Sequence, residues 1–264
     1  MRNSYYNLPR LGKPAEELGN NEIERLNTIR DLIPQDVKTI LDVGCGDGII
    51  SNPLSKKYDI VGFDLSHEAL IHIKAKKVRG NSINIPFKNH SFDLILCSDI
   101  LEHLPIRILN GTIQELKRLC RKYIIINIPN RENLKQNYVK CFYCNYIFHN
   151  CWHLRNFSED DIKEYFNDFK LIKRMYSGFR KSYFSNRLLE VQQNYGNKWF
   201  FSNDTVCPNC DQILKKEDLL NKNKVNFIGY LVYSINFLFN SIIKIFNYEK
   251  SEIIFLFKKV DAYN

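Results

Sequence analysis

Residues 38–51 read KTILDVGCGDGIIS: an apolar run ends at Asp42 and opens into three glycines, Gly44, Gly46 and Gly48. A short run of Ile, Leu and Val is the pattern of a strand buried on both faces. Glycines just past its carboxyl end let a ligand lie against bare backbone. The runs at 59–64 (DIVGFD), 92–98 (FDLILCS) and 123–128 (YIIINI) have the same character. Helical patterns fall between them at 48–57, 67–78 and 106–120, and another at 21–33 stops before Pro34. Ser158 followed by Glu159, Asp160 and Asp161 predicts a capped helix over 158–169, with strands expected at 169–175 and 252–259. This alternation predicts an α/β fold, a doubly wound parallel sheet with helices on both faces.

At 264 residues the chain suffices for one large domain or a domain carrying an insert. A net charge of +9 favours acidic partners (nucleic acid, anionic lipid or a phosphorylated substrate) and does not choose among them. The opening MRNSYYNLPRLGK has no apolar h-region, so a secretory signal is not expected. Eight cysteines in such a chain then read as cytoplasmic thiols or metal ligands, not as a disulfide scaffold.

Two cofactor classes use a glycine bend of this kind. Dinucleotide folds carry G-x-G-x-x-G, whereas the spacing here is G-x-G-x-G, with no Lys-Ser/Thr pair for a triphosphate. S-adenosylmethionine (SAM) has no phosphate and needs room for a ribose and an amino-acid tail. Asp64 closes the second strand, where a carboxylate accepts from both hydroxyls of a ribose, a feature that suits either class. The next element is GNSINIPFKNHSFDLILCSDILEHL, residues 80–104. Together with LDVGCGDG and VGFDLS it resembles the class I SAM-dependent methyltransferases, the subgroup with LPF, FDLV and LEHL motifs, over roughly residues 35–130.

The resemblance implies a Rossmann-like, mostly parallel seven-stranded sheet and SAM as cofactor. It places Asp42, Gly44, Cys45 and Gly46 in the cofactor set, the bend lining the methionine end. Asp64 and Leu65 fall to the ribose and adenine, Asn81 and Ser82 beside the adenine, and Ser98 beside the sulfonium. Asn81 stands where the family usually has Asp, and an Asn oxygen still accepts from the adenine amino group.

Methyl transfer from a sulfonium is a direct displacement, so positioning dominates, and a base is needed only where the acceptor must lose a proton. The segment CSDILEHLP lacks the Asn/Asp-Pro-Pro-aromatic turn of enzymes that methylate base amino groups. The expected acceptor is therefore a hydroxyl or carboxyl on a small molecule, glycan or lipid-linked intermediate. His103, in LEHL, matches the family motif. His153, in WHLRNFSEDD, resembles a histidine of quinone-biosynthesis O-methyltransferases in the loop covering the acceptor, and is the preferred acceptor-side residue. Two rivals stay open: an RNA or protein methyltransferase, and an inactive scaffold that binds a partner.

Cys141-x-x-Cys144 and Cys207-x-x-Cys210 are two knuckles of the kind that each give two thiolates to a tetrahedral, structural zinc. They meet only if both emerge on one side of the sheet. A local set of Cys141, Cys144, His149 and either Cys151 or His153 is the alternative. Finally, 225–243 (VNFIGYLVYSINFLFNSII) holds no charged residue. Polar or smaller positions recur every three to four residues through 225–247, predicting an aromatic amphipathic helix that packs on the fold or lies on a membrane or partner, a true span being disfavoured by its interior Asn and Ser residues. The expected organisation is a helical cap (1–34), a SAM-binding core with the first knuckle inserted (35–176), a second insertion with the other knuckle and the apolar helix (177–250), and a final strand (251–264).

Overall fold

The computed structural model describes residues 19–180, 182–202, 205–215, 225–247 and 249–260, so most of the expected cap before residue 19 lies outside the described residues. The chain divides into two units. One is the sheet unit, drawn from the stretches up to Asn130, Phe157–Phe179 and Lys250 onward; the other is drawn from Arg131–Asn156 and Arg180–Glu249.

The sheet unit carries strands β1 (Thr39–Val43), β2 (Asp59–Asp64), β3 (Lys76–Arg79), β4 (Phe92–Ser98), β5 (Cys120–Pro129), β8 (Phe169–Arg180) and β11 (Lys250–Lys259). They form one seven-stranded sheet in the order β3-β2-β1-β4-β5-β11-β8. The β1–β2, β2–β3, β1–β4 and β4–β5 pairs are parallel and β11 runs antiparallel to β5. The expectation of a mostly parallel, seven-stranded, Rossmann-like sheet is borne out. Successive residues of one strand face opposite sides. Ile95 and Cys97 join the core under helices α4 (Ile106–Leu119) and α5 (Glu159–Tyr165), and Leu94 and Leu96 join the core under α1 (Asn20–Leu32). Both faces are covered, which is why these strands read as unbroken apolar runs.

Three helices end early, one of them α5, expected to run to 169 and stopping at Tyr165. The segment expected at 48–57 is the single turn α2 (Ser51–Leu54). The one expected at 67–78 stops as α3 (His67–Leu70), and Lys76–Arg79 becomes the edge strand β3, bonded to β2 from Val61↔Lys76 to Asp64↔Arg79. Its charges line a sheet edge, where lysine discourages pairing with another chain. Ser158 caps α5 as its sequence predicts: its Oγ accepts from the Asp161 N–H at 3.1 Å, and an Asp161 carboxylate oxygen accepts from the Ser158 N–H at 2.7 Å.

The second unit is built on two small hairpins, β6 (Tyr138–Lys140) with β7 (Ile147–His149), and β9 (Thr205–Val206) with β10 (Ile213–Leu214). It also holds α6 (Asn186–Asn194) and the 20-residue α7 (Phe227–Phe246). Val139, Phe148 and Leu214 pack with Cys141 and Cys207 as its buried centre.

Candidate functional site

The strand order reverses at β1: the chain steps outward to β2 and β3, then crosses to β4 on the other side. A crevice beyond the carboxyl ends at such a switch point is where open α/β sheets bind ligands. All three glycines there have left-handed backbones, with φ of 72° at Gly44, 52° at Gly46 and 87° at Gly48. Their reasons differ. A Cβ on Gly44 would lie 1.7 Å from Ile100 Cδ1, and one on Gly48 would lie 2.6 Å from Ile73 Cδ1. Those two are small because protein packs against them. A Cβ on Gly46 would meet nothing within 4 Å, so Gly46 is the glycine that faces open space.

Asp64 ties this bend to β2. One of its carboxylate oxygens accepts from the Gly46 N–H at 2.9 Å and the other from the Ser66 N–H at 2.8 Å. The Leu65 N–H is a third backbone donor to this carboxylate, which still has acceptor capacity left for a ribose. The Phe63 carbonyl accepts from the Gly44 and Cys45 N–H groups at 2.6 and 3.2 Å, and the Asp64 carbonyl from Gly80 N–H at 2.9 Å. The first bend and the loop holding Asn81 and Ser82 therefore both hang from the end of β2. Leu65 is exposed there, as an apolar face for a base requires. Asn81 accepts from the Ile83 N–H at 3.2 Å, and the Ser82 hydroxyl bonds that of Thr112 at 2.7 Å.

Asp42 is buried at the end of β1, its carboxylate accepting from the Ser51 hydroxyl at 2.5 Å. Burial, together with the nearby Asp64 charge, pushes its carboxyl up to about 7 against the Ser51 bond, and burial also raises Asp64. Among the described residues neither acid has a basic ion-pair partner. Cys45, also buried, is held as a neutral thiol by desolvation and by these two acids.

Ser98 lies at the end of β4, its hydroxyl accepting from Asn127 Nδ2 at 3.0 Å. The next residue, Asp99, has φ 55°, a strained conformation for a side chain with a Cβ. It accepts from the same Asn127 amide at 3.0 Å and pairs with Arg25 of α1, which also reaches Glu252 of β11 at 3.4 Å. Burial and the Asp99 charge raise Glu252, while Asp99 and Glu252 keep Arg25 protonated in spite of its own burial. No local sequence signal marks this group, whose members come from α1, β4, β5 and β11. His103 closes the one-turn 3-10 helix Leu101–His103 that follows, half-buried beside the fully buried Glu102.

In the second unit the four cysteines converge. All four Sγ atoms of Cys141, Cys144, Cys207 and Cys210 lie within 4.8 Å of one another, with Cys141–Cys210 and Cys144–Cys207 both at 3.6 Å. The knuckles are near copies. In one, Asn145 N–H donates to the Cys141 carbonyl at 3.0 Å and Cys141 N–H to the Tyr146 carbonyl at 2.9 Å. In the other, Asp211 N–H donates to the Cys207 carbonyl at 2.9 Å and Cys207 N–H to that of Gln212 at 3.0 Å. Asn145 and Asp211 share a left-handed backbone, with φ of 59° and 57°. This soft, tetrahedron-sized donor set fits zinc.

The histidines expected as alternative ligands are engaged elsewhere. His149 Nδ1 accepts from the N–H groups of Cys151 and His153 at 3.2 and 3.3 Å, so its proton sits on Nε2 and points at Glu132 Oε1, 3.1 Å away. Coordination through that nitrogen would require an imidazolate. His153 stacks on His149 with centroids 4.4 Å apart, and its Nδ1 donates to the other Glu132 oxygen at 2.5 Å. Although burial opposes it, the two imidazoles hold the Glu132 carboxyl well below the usual range. Glu132 is a residue the sequence reading missed.

Comparison with known proteins agrees with this geometry. Residues 41–126 match a family model described as a methyltransferase domain. An uncharacterized protein of Methanocaldococcus jannaschii is 32% identical over 130 residues, 47% of this chain and 54% of that protein. A ubiquinone biosynthesis O-methyltransferase of Coxiella burnetii is 36% identical over 92 residues, 31% of this chain and 39% of that protein. The chain thus spans about half, or less, of the length of these curated relatives. The crystal structure of a SAM-dependent methyltransferase from Archaeoglobus fulgidus aligns with a TM-score of 0.54 at 17% identity, covering 91% of this chain and 95% of that one. The fold is that of the SAM-dependent methyltransferases.

Proposed function

We propose that this chain is a SAM-dependent methyltransferase acting on a hydroxyl or carboxyl of a small-molecule, glycan or lipid-linked acceptor, with a structural zinc in its second unit. The observation that carries the cofactor is the pair Asp42 and Asp64. Two acids raised by burial, without a cation among the described residues, flank an open glycine at the switch point. That site fits a cationic nucleoside, and SAM carries positive charge on sulfur and on its ammonium. When bound, it supplies a methyl group already activated by the sulfonium. Gly46 and Asp42 would hold the amino-acid end, Asp64 and Leu65 the nucleoside, and Asn81 and Ser82 the adenine edge. The zinc fits the four-thiolate set, which leaves no open coordination position and therefore serves shape, not chemistry.

The acceptor class is supported by the absence of a base-amino motif after β4 and by the O-methyltransferase named above. A hydroxyl acceptor must lose a proton. Glu132 fixes His153 as the Nδ1–H tautomer, so the basic nitrogen is Nε2, the state a general base requires. The test is a transfer assay with methyl-labelled SAM on fractionated small-molecule, lipid, RNA and protein extracts. Label in the small-molecule or lipid fraction supports the reading, label in RNA or protein replaces its acceptor class, and no label in any fraction refutes it.

A further inference from the structure

Helix α7 is turned inside out relative to an ordinary packed helix. Its covered stripe is Gly229, Val232, Asn236 and Asn240, at intervals of three and four. The asparagines on that stripe serve the neighbouring backbone: Asn240 accepts from Tyr183 N–H at 2.8 Å and Asn236 from Ser185 N–H at 3.3 Å. Asn226 caps the helix, its Oδ1 accepting from Gly229 N–H at 3.0 Å, and its amide donates to the Tyr195 carbonyl at 2.7 Å. Gly229 and Gly196 let the two backbones touch, since a Cβ on Gly196 would lie 2.2 Å from Gly229 Cα. Polar groups thus face the protein, and the apolar side chains face out. Phe227 and Phe246 at the two ends are 78% and 80% exposed, and Leu238 between them is 61% exposed.

Three features say what covers this face. First, the exposed arc is wide: Phe237, Leu238 and Phe239 are consecutive and all exposed, and at ~100° per residue they alone sweep about 200° of the helix. A facing helix or a groove covers less than that, whereas a liquid hydrocarbon wets all of it. Second, both serine hydroxyls on the exposed side are satisfied within the helix, which leaves the tyrosine hydroxyls as its wettable groups. Ser234 Oγ donates back to the Tyr230 carbonyl at 3.0 Å and Ser241 Oγ to the Phe237 carbonyl at 2.8 Å, bonds that need no water. Third, the charge has one sign. Residues 225–247 contain no acid and a single charged residue, Lys244. Lys198 sits 4.3 Å from the Tyr233 ring centre and 5.0 Å from that of Tyr230, an aromatic–cation pair suited to a headgroup layer.

We infer that α7 is an in-plane anchor that sinks its aromatic face into an anionic phospholipid bilayer. At about 30 Å the helix has the length of a span. However, its asparagine stripe is bonded to residues 183–196 along most of that length, so one side stays against protein and the helix lies flat. The inference deepens the proposed function, and rests on it only in implying an acceptor that is itself lipid-linked.

The test is flotation of the full chain with vesicles of phosphatidylcholine alone or mixed with phosphatidylglycerol. The wild type is expected to float with the mixed vesicles, and a Leu238→Glu/Phe246→Glu variant to lose at least tenfold in partitioning. Because both positions are exposed, the variant's urea midpoint and metal content should match the wild type's, which excludes misfolding as the cause. Tryptophan placed at Phe237 should be quenched more by bromines near the headgroups than by bromines at mid-bilayer. Failure of the wild type to float overturns the inference, as does deeper quenching at mid-bilayer. A solution dimer dissolved by the same double substitution, without vesicle binding, would assign the face to a second copy and overturn it too. SAM titration on the same preparation separates the two readings: SAM binding without flotation removes the anchor alone, and flotation without SAM binding removes the enzyme alone.

Discussion

Replacing Asp42 by asparagine isolates the electrostatic cost built into the cofactor crevice. The Asp42 carboxyl titrates near 3.8 when unfolded and near 7 when folded, about three units apart, and at ~1.4 kcal/mol per unit the difference is about 4 kcal/mol. The sign follows from proton uptake. Between these two values the folded chain holds a proton on Asp42 that the unfolded chain has released, so stability falls as pH rises through the window and levels off above about 7. An asparagine side chain has no proton to lose, and it retains an oxygen for the Ser51 hydroxyl, a bond worth about 1 kcal/mol. Relative to wild type, the Asp42→Asn apoprotein should gain nothing near pH 4, then progressively more, reaching roughly 3–4 kcal/mol at pH 8. Urea unfolding at pH 4.5, 6 and 8 measures this directly. An advantage that is constant across pH, or a variant less stable at pH 8, would refute the placement of a buried, cation-free carboxyl there.

Two further outcomes follow from the geometry. Purified protein should carry about one zinc per chain; Cys207→Ser should lose it and His149→Ala should keep it, as read by elemental analysis, whereas metal loss in the histidine variant would reinstate the local ligand set. Arg25→Ala strands Asp99 and Glu252 half-buried, and should cost about 2–3 kcal/mol at pH 7. Because the Glu252 carboxyl is already raised, that cost should shrink as pH falls and Glu252 protonates, and a pH-independent loss in urea curves would show that packing, not charge, holds the site.

The parts legible in the sequence share a physical cause. Strands β1, β2, β4 and β5 are buried on both faces, so they had to be short runs of Ile, Leu and Val, and Gly46 and Asp64 sit where such strands end. The C-x2-C spacing announced its knuckles because a tight turn presenting two thiols admits few other lengths. β3 was hidden because an edge strand is selected for solubility, and Lys76 and Lys77 read equally well as a helix surface. The Arg25–Asp99–Glu252 group was hidden because it is assembled from opposite ends of the chain. Glu132 went unseen because nothing local tells a carboxylate that orients two imidazoles from one on the surface. In α7 the 3.6-residue period was visible, but the usual rule for its direction fails, since the polar stripe is the one that packs.

The glycine bend after β1 and the carboxylate ending β2 form the cradle proposed here for a sulfonium nucleoside. Calorimetric titration of SAM into the wild type and into Asp64→Asn tests it most directly. The wild type should bind saturably and the variant at least tenfold more weakly, about 1.4 kcal/mol or more, with NADH binding neither. Equal SAM affinity in the two proteins, or NADH binding in place of SAM, would contradict it.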